Sequence, residues 1–188
     1  RDGPGNCSPH RPKATGSTGR ATCASAAFML GSDDPLNVFR LLARAGVRFV
    51  IIGGHAVVFH GYVRTTEDAA VIFERSPASE AALLEALESI HACWISDECD
   101  PATGHERLVP VSLSYVRSEH LMMLTTDLGF LDLYDYIPGF PETPVADVFS
   151  DSIELDDLRF VSLHWLRKLK QVAGRHRDLD DLEHLPSA

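Results

Sequence analysis

The chain has 188 residues, with 17 Lys and Arg against 27 Asp and Glu, for a net charge of −10. That length suits one globular domain with at most an ordered appendage, and the acidity excludes a grip on nucleic acid through a large basic surface while leaving room for a local basic patch. Hydrophobic residues at 45% allow a core and exclude wholesale disorder, and the longest apolar stretch, Phe49 to His60, is too short to span a bilayer. No charged start followed by a long apolar run marks a secretory peptide. Cys7, Cys23, Cys93 and Cys99 make no disulfide-dense scaffold, so they are expected to be reduced thiols of a cytoplasmic protein.

Residues 1–33 are rich in Gly, Pro, Ser, Thr and Ala, and are expected to form a disordered arm outside the core. Order is expected from Asp34, an N-cap followed by Pro35 at the first helical position; Leu36, Phe39, Leu42 and Ala43 then share one face. Gly46 ends that helix. Val47 to Ile52 reads as a strand, His55 to His60 as a short helix, and Ala69 to Phe73 as a second strand. The spacing of Ala82, Leu83, Leu87 and Ile90 predicts a helix over Ser79 to Trp94. Strands are expected at Leu108 to Val116, His120 to Thr125 and Gly129 to Tyr134, with a rigid proline-rich loop at Pro138 to Pro144. A weak strand near Leu158 to Val161 leads into a helix from Ser162, with Leu163, Leu166 and Leu169 inward. Gly174 interrupts it, and Leu179 with Leu182 packs a last short helix. The order predicts one α/β (α+β) domain over residues 34–188, a mixed sheet flanked by helices, with a C-terminal helical part at about 162–185.

Three features carry chemical interest. Gly53-Gly54 joins a strand to a short helix; such a pair serves either a tight turn or close approach to a phosphate. It belongs to neither a Walker loop nor a dinucleotide fingerprint. Asp68 opens one apolar strand and Asp132 sits inside another, Phe130 to Tyr134. A carboxylate there faces water at an edge, pairs, or binds metal. Arg167, Lys168, Lys170, Arg175 and Arg177 form an acid-free basic block that suits either a solvated helix face or the charge of a triphosphate. His55 is placed to touch a ligand beyond the glycines, whereas His60 reads as a core or capping residue.

Taken together, Gly53-Gly54-x-Ala56, His60-Gly61 and Arg64-x-Thr66-x-Asp68 resemble the opening motif of the polymerase-β-type nucleotidyltransferases. The nearest group is the AbiEii-like and minimal nucleotidyltransferases of bacterial toxin–antitoxin systems. Gly129-x-Leu131-Asp132 resembles their third-carboxylate strand, and Ser162-Leu163 with Lys170, Gly174-Arg175 and Asp178-x-x-Asp181 their C-terminal motif. The resemblance spans about residues 36 to 185. It implies a nucleotidyltransferase-type fold and transfer of a nucleoside monophosphate from a nucleoside triphosphate (NTP) to RNA, such as a tRNA end, or to a cognate toxin or antitoxin protein. Small-molecule (antibiotic) nucleotidyl transfer is the alternative reaction, and a non-catalytic nucleotide-sensing protein the alternative class. It also implies Mg²⁺ held by Asp68 and Asp132 at a two-metal centre, with Gly53, Gly54, His55, Arg64, Thr66, Lys170 and Arg175 around the nucleotide. The family's second motif reads Asp-x-Asp, because a two-residue strand period puts both carboxylates on one face. This chain reads Asp68-Ala69-Ala70, and Glu67 points the other way. Ala70 therefore implies impaired catalysis, through natural decay or through an introduced Asp-to-Ala change; retention of the other motifs favours the latter.

Overall fold

The structure is a computed structural model and describes residues 34–99 and 104–187. The N-terminal arm, Cys7 and Cys23 lie outside the described residues. An eight-stranded mixed sheet in the order β4-β3-β5-β6-β2-β1-β8-β7 carries helices on both faces. Its elements in chain order are α1 (Asn37–Arg44), β1 (Phe49–Ile52), α2 (Gly53–Phe59), β2 (Asp68–Phe73), α3 (Pro77–Ser89), β3 (Cys93–Cys99), β4 (Glu106–Pro110) and α4 (Leu113–Ser118). After them come β5 (Leu121–Thr126), β6 (Gly129–Tyr134), α5 (Val145–Ser150), β7 (Ile153–Leu155), β8 (Leu158–Phe160), α6 (Leu163–Ala173) and α7 (His176–His184). The expected mixed α/β domain is the one formed. Among the described residues no helix is long and apolar enough to cross a membrane.

Alternation along the central strands divides the core in two. Ile51, Ala69, Val71, Leu131 and Leu133 face one way, where Phe39 and Leu42 of α1 and Leu83 and Leu87 of α3 cover them. Val50, Ile52 and Ile72 face the other way, under Ala56 and Val57 of α2, Val148 of α5 and Trp165 and Leu166 of α6. Helices on both faces explain why β1 is apolar and buried at every position. The second layer of helices stops short, however. Beyond β2 that face is open, and Met123 of β5 and Phe130 of β6 remain 62% and 53% exposed.

Several elements differ from the sequence-based expectation. Asp34 does not cap α1 directly; its carboxylate accepts from the Leu36 N–H in a turn that precedes the helix, and pairs with Arg40. The periodic run through Ile90 does not continue to Trp94, because His91 adopts φ +48° and reverses the chain into β3. Trp94 then stacks on Tyr115, 5.2 Å between ring centroids. The expected strand Leu108 to Val116 divides at Ser112, whose hydroxyl accepts from the Tyr115 N–H and starts α4. Ser112→Ala is expected to cost about 1 kcal/mol, read as a lower urea midpoint at unchanged slope. Helix α5 and strand β7 were not expected; Asp156 and Asp157, both at positive φ, make the tight turn from β7 to β8. Leu179 does not pack inward: it is 48% exposed, while Asp178 and Asp181 turn into the protein. Cys93 and Cys99 both lie on β3, with Cys93 buried.

Candidate functional site

The switch from β1 to α2 and the two strands beside it bring most of the candidate residues together. β2 runs parallel to β6 with Asp68 opposite Phe130 and Ala70 opposite Asp132. Because side chains alternate along a strand, Asp68, Ala70 and Asp132 lie on one face, the open end of the second layer. Ala70 is flanked on its other side by Ile52, the last residue before the glycine pair. Residue 70 thus sits between the β1–α2 turn and Asp132.

Both glycines have steric reasons to be there. Gly53 has φ +67°, and a Cβ on it would stand 3.2 Å from that of Ala70. A Cβ on Gly54 would fall 2.2 Å from Thr66 Oγ1 and 3.2 Å from Arg64 Nη1. The space over Gly54 is therefore filled by the loop leading to β2. Gly54→Ala is expected to displace that loop at a cost of about 1–3 kcal/mol, measurable by thermal denaturation; an unchanged midpoint would mean the loop yields freely.

The electrostatics tie these groups to one another. Burial raises the pKa of Asp132, the charge of Asp68 raises it further, and Arg175 opposes them. Tyr134, two residues along the same face, is pushed up to about 12, first by burial and then by Asp132. His55 lies edge-on to Phe39 at 5.0 Å, and its buried Nδ1 has no hydrogen-bond partner among the described residues. Burial lowers its pKa, with the backbone of Asp68 and Pro35 pulling the other way.

The remaining candidates belong to an ion-pair network. Arg64 donates from Nε and Nη2 to the two carboxylate oxygens of Asp181, at 2.5 and 2.9 Å. Lys170, only 6% exposed, places Nζ 2.7 Å from Asp178 and 2.7 Å from Asp181. Arg175 donates to Asp178 at 2.8 Å with most of its side chain in solvent, within electrostatic reach of Asp132 and Tyr134. Arg167 caps the carbonyls of Leu182, Leu185 and Pro186, and Lys168 lies over the Trp165 ring. Four of the five basic residues are therefore engaged within the protein. Lys170 is linked to Arg64 through Asp181 and to Arg175 through Asp178.

No group of three His, Cys, Asp or Glu residues placed to hold a metal occurs among the described residues. The donor set of the site is the carboxylate pair Asp68 and Asp132. Mg²⁺ is commonly held by one or two carboxylates, so the chemistry of this pair fits one such ion. Tyr134 and the exposed Phe130 and Met123 were not singled out from sequence, although the alternation through Phe130-Leu-Asp-Leu-Tyr134 was the available signal. A hollow lined by Gly46, Arg48, Asp157 and Arg159 lies at the opposite end of β1 and contains none of these groups.

The mixed sheet, its flanking helices and the C-terminal pair form a mixed α/β fold. No protein-family model matches the chain, and no curated protein matches it. Among solved structures it is similar to JHP933 from Helicobacter pylori, with 18% identity and a TM-score of 0.40 over 80% of this chain and 65% of that one. A "putative nucleotidyltransferase from H. pylori" is similar at 18% identity and a TM-score of 0.39, over 80% of this chain and 67% of the other. The chain thus spans about two thirds of the length of each, and likenesses this distant carry no inference about activity.

Proposed function

We propose that the open face bearing Asp68, Ala70 and Asp132 binds a nucleoside triphosphate with Mg²⁺ and is built for transfer of its nucleoside monophosphate to a hydroxyl group. The observation that supports this most is the β2–β6 register, which sets both carboxylates and residue 70 on one open face beside Gly53-Gly54. In this reading Asp68 and Asp132 would hold Mg²⁺, which would supply positive charge against the leaving pyrophosphate. A cation there would offset the burial and the charge of Asp68 that together oppose ionisation of Asp132. Arg175, exposed and facing Asp132, is suited to draw in phosphate oxygens. The acceptor is an RNA, such as a tRNA end, or a cognate toxin or antitoxin protein, in a cytoplasmic setting.

Ala70 favours a second reading, in which this chain binds nucleotide without transferring it. The two are separated by incubating each α-labelled NTP with Mg²⁺, total cellular RNA and protein, and either the parent chain or Ala70→Asp. Label in an RNA band identifies an RNA acceptor, and label on one polypeptide identifies a protein acceptor. Mg²⁺-dependent nucleotide binding by both chains, without pyrophosphate release from either, supports the sensor. Absence of nucleotide binding by both refutes the nucleotide site altogether.

A further inference from the structure

We infer that Asp181 is a positioning residue for the candidate site: from α7 it holds Arg64, and through Arg64 it fixes the loop that delivers Asp68. Residues 63–67 belong to no helix or strand, so backbone ladders do not set their path. Side chains do. Before the loop, His60 Nε2 lies 2.8 Å from the Val161 carbonyl oxygen. Tyr62 donates its hydroxyl to Asp180 and stacks on His184, with ring centroids 4.3 Å apart. Arg64 follows with its fork on Asp181, and its third nitrogen, Nη1, donates to the Thr65 carbonyl at 2.8 Å.

All three guanidinium nitrogens are thereby engaged in shaping the chain. The planar fork fixes direction as well as distance, which a lysine at this position does not do. Held in this way, Arg64 and Thr66 fill the space above Gly54, two residues before Asp68 enters β2. The acid that receives the fork is wholly buried, and Lys170 supplies its second cation. The lock itself follows from these contacts alone; its consequence for ligand binding rests on the function proposed above.

Hydrogen exchange by mass spectrometry on the full chain, without nucleotide, tests the lock. Arg64→Gln removes the fork but leaves Lys170 between Asp178 and Asp181, so α7 stays docked. Amides at 61–68 are expected to exchange at least about tenfold faster, while those of α3 and β6 stay within about twofold. Arg64→Lys, keeping the charge without the fork, is expected to fall between parent and Arg64→Gln. Tyr62→Phe, which removes only an exposed bond, is expected to change the loop by less than about twofold. Unchanged exchange at 61–68 in Arg64→Gln overturns the inference, as does a uniform acceleration over the whole chain. Binding of ATP with Mg²⁺ is measured alongside. If the parent binds and Arg64→Gln binds at least about tenfold more weakly, the lock acts on the site; equal binding, with a loosened loop, overturns that consequence. If the parent binds no nucleotide, the proposed function fails while the exchange result still decides the lock.

Discussion

Ala70→Asp is expected to keep the fold, lower metal-free stability by about 1–2 kcal/mol, and raise Mg²⁺-dependent nucleotidyl transfer by about a hundredfold or more. The destabilisation follows from placing a third carboxylate, half-buried, on the face that already carries Asp68 and Asp132. Burial and the charge of Asp68 already raise the pKa of Asp132, so a further anion beside it meets the same opposition. The space exists, since residue 70 faces Gly53, which has no Cβ. Added Mg²⁺ should recover the lost stability by mass action, because it binds the three-carboxylate face of the folded chain and not the dispersed acids of the unfolded one. On the function proposed above, the gain in transfer would follow from a metal ligand placed next to the reacting phosphate, where several kcal/mol of charge stabilisation are available. Thermal melts with and without Mg²⁺, paired with pyrophosphate release, check both halves. A melting temperature insensitive to Mg²⁺ in the Ala70→Asp chain would count against the metal reading.

Lys170→Met is expected to be among the most damaging single changes, at about 3 kcal/mol. Lys170 lies between two buried acids, and methionine matches its length without its charge. Asp178 keeps Arg175 and Asp181 keeps Arg64, but each loses its closest buried cation. For a chain of this size the melting temperature should fall by roughly 6–12 °C. Lys168→Met, which loses only a contact over Trp165, is the control and should stay within about 0.5 kcal/mol. The network also sets an acid limit. Burial alone would raise the pKa values of Asp178 and Asp181. Hydrogen bonds from Lys170 and Arg175 to the former, and from Arg64 and Lys170 to the latter, outweigh it and hold both below the ordinary carboxylate value. Acids depressed in the folded state contribute stability that is present above their unfolded pKa, about 3.9, and is lost as pH falls below it through the folded values. Melting temperature should therefore be flat above about pH 5 on this account and fall below pH 4, with a shallower fall in Lys170→Met. An equal acid slope in both chains would mean that other carboxylates dominate.

Much of the scaffold was readable along the chain. Strand β6 begins and ends where its alternation predicts, and β1, β2, α6 and α7 lie within a few residues of their expected places. Local signals carry these, since a two- or three-to-four-residue period and a glycine stop need no knowledge of what packs opposite. The same logic failed where periods overlapped. The helical spacing Leu87, Ile90, Trp94 continues past the true helix end, and only the turn at His91 stops it. Leu179 and Leu182 looked like the buried stripe of α7, yet that helix buries Asp178 and Asp181 instead.

The α/β class, the placement of Asp68 and Asp132 in strands and the lack of a second acid at position 70 were legible along the chain. That Ala70 stands directly beside Asp132 came from folding, because register between β2 and β6 depends on which residues the two strands bury together. Folding also decided what the basic block does. From sequence, Lys170 and Arg175 were equally suited to phosphate or to solvent. Folding brings Asp178, Asp181 and Arg64 to them, and a buried ammonium must be neutralised by whatever acids share its low-dielectric surroundings. Those partners lie 8 to 11 residues away from Lys170 for the acids, and more than a hundred residues from Asp181 for Arg64. No local period encodes contacts at that separation; packing of the C-terminal helices against the loop before β2 creates them.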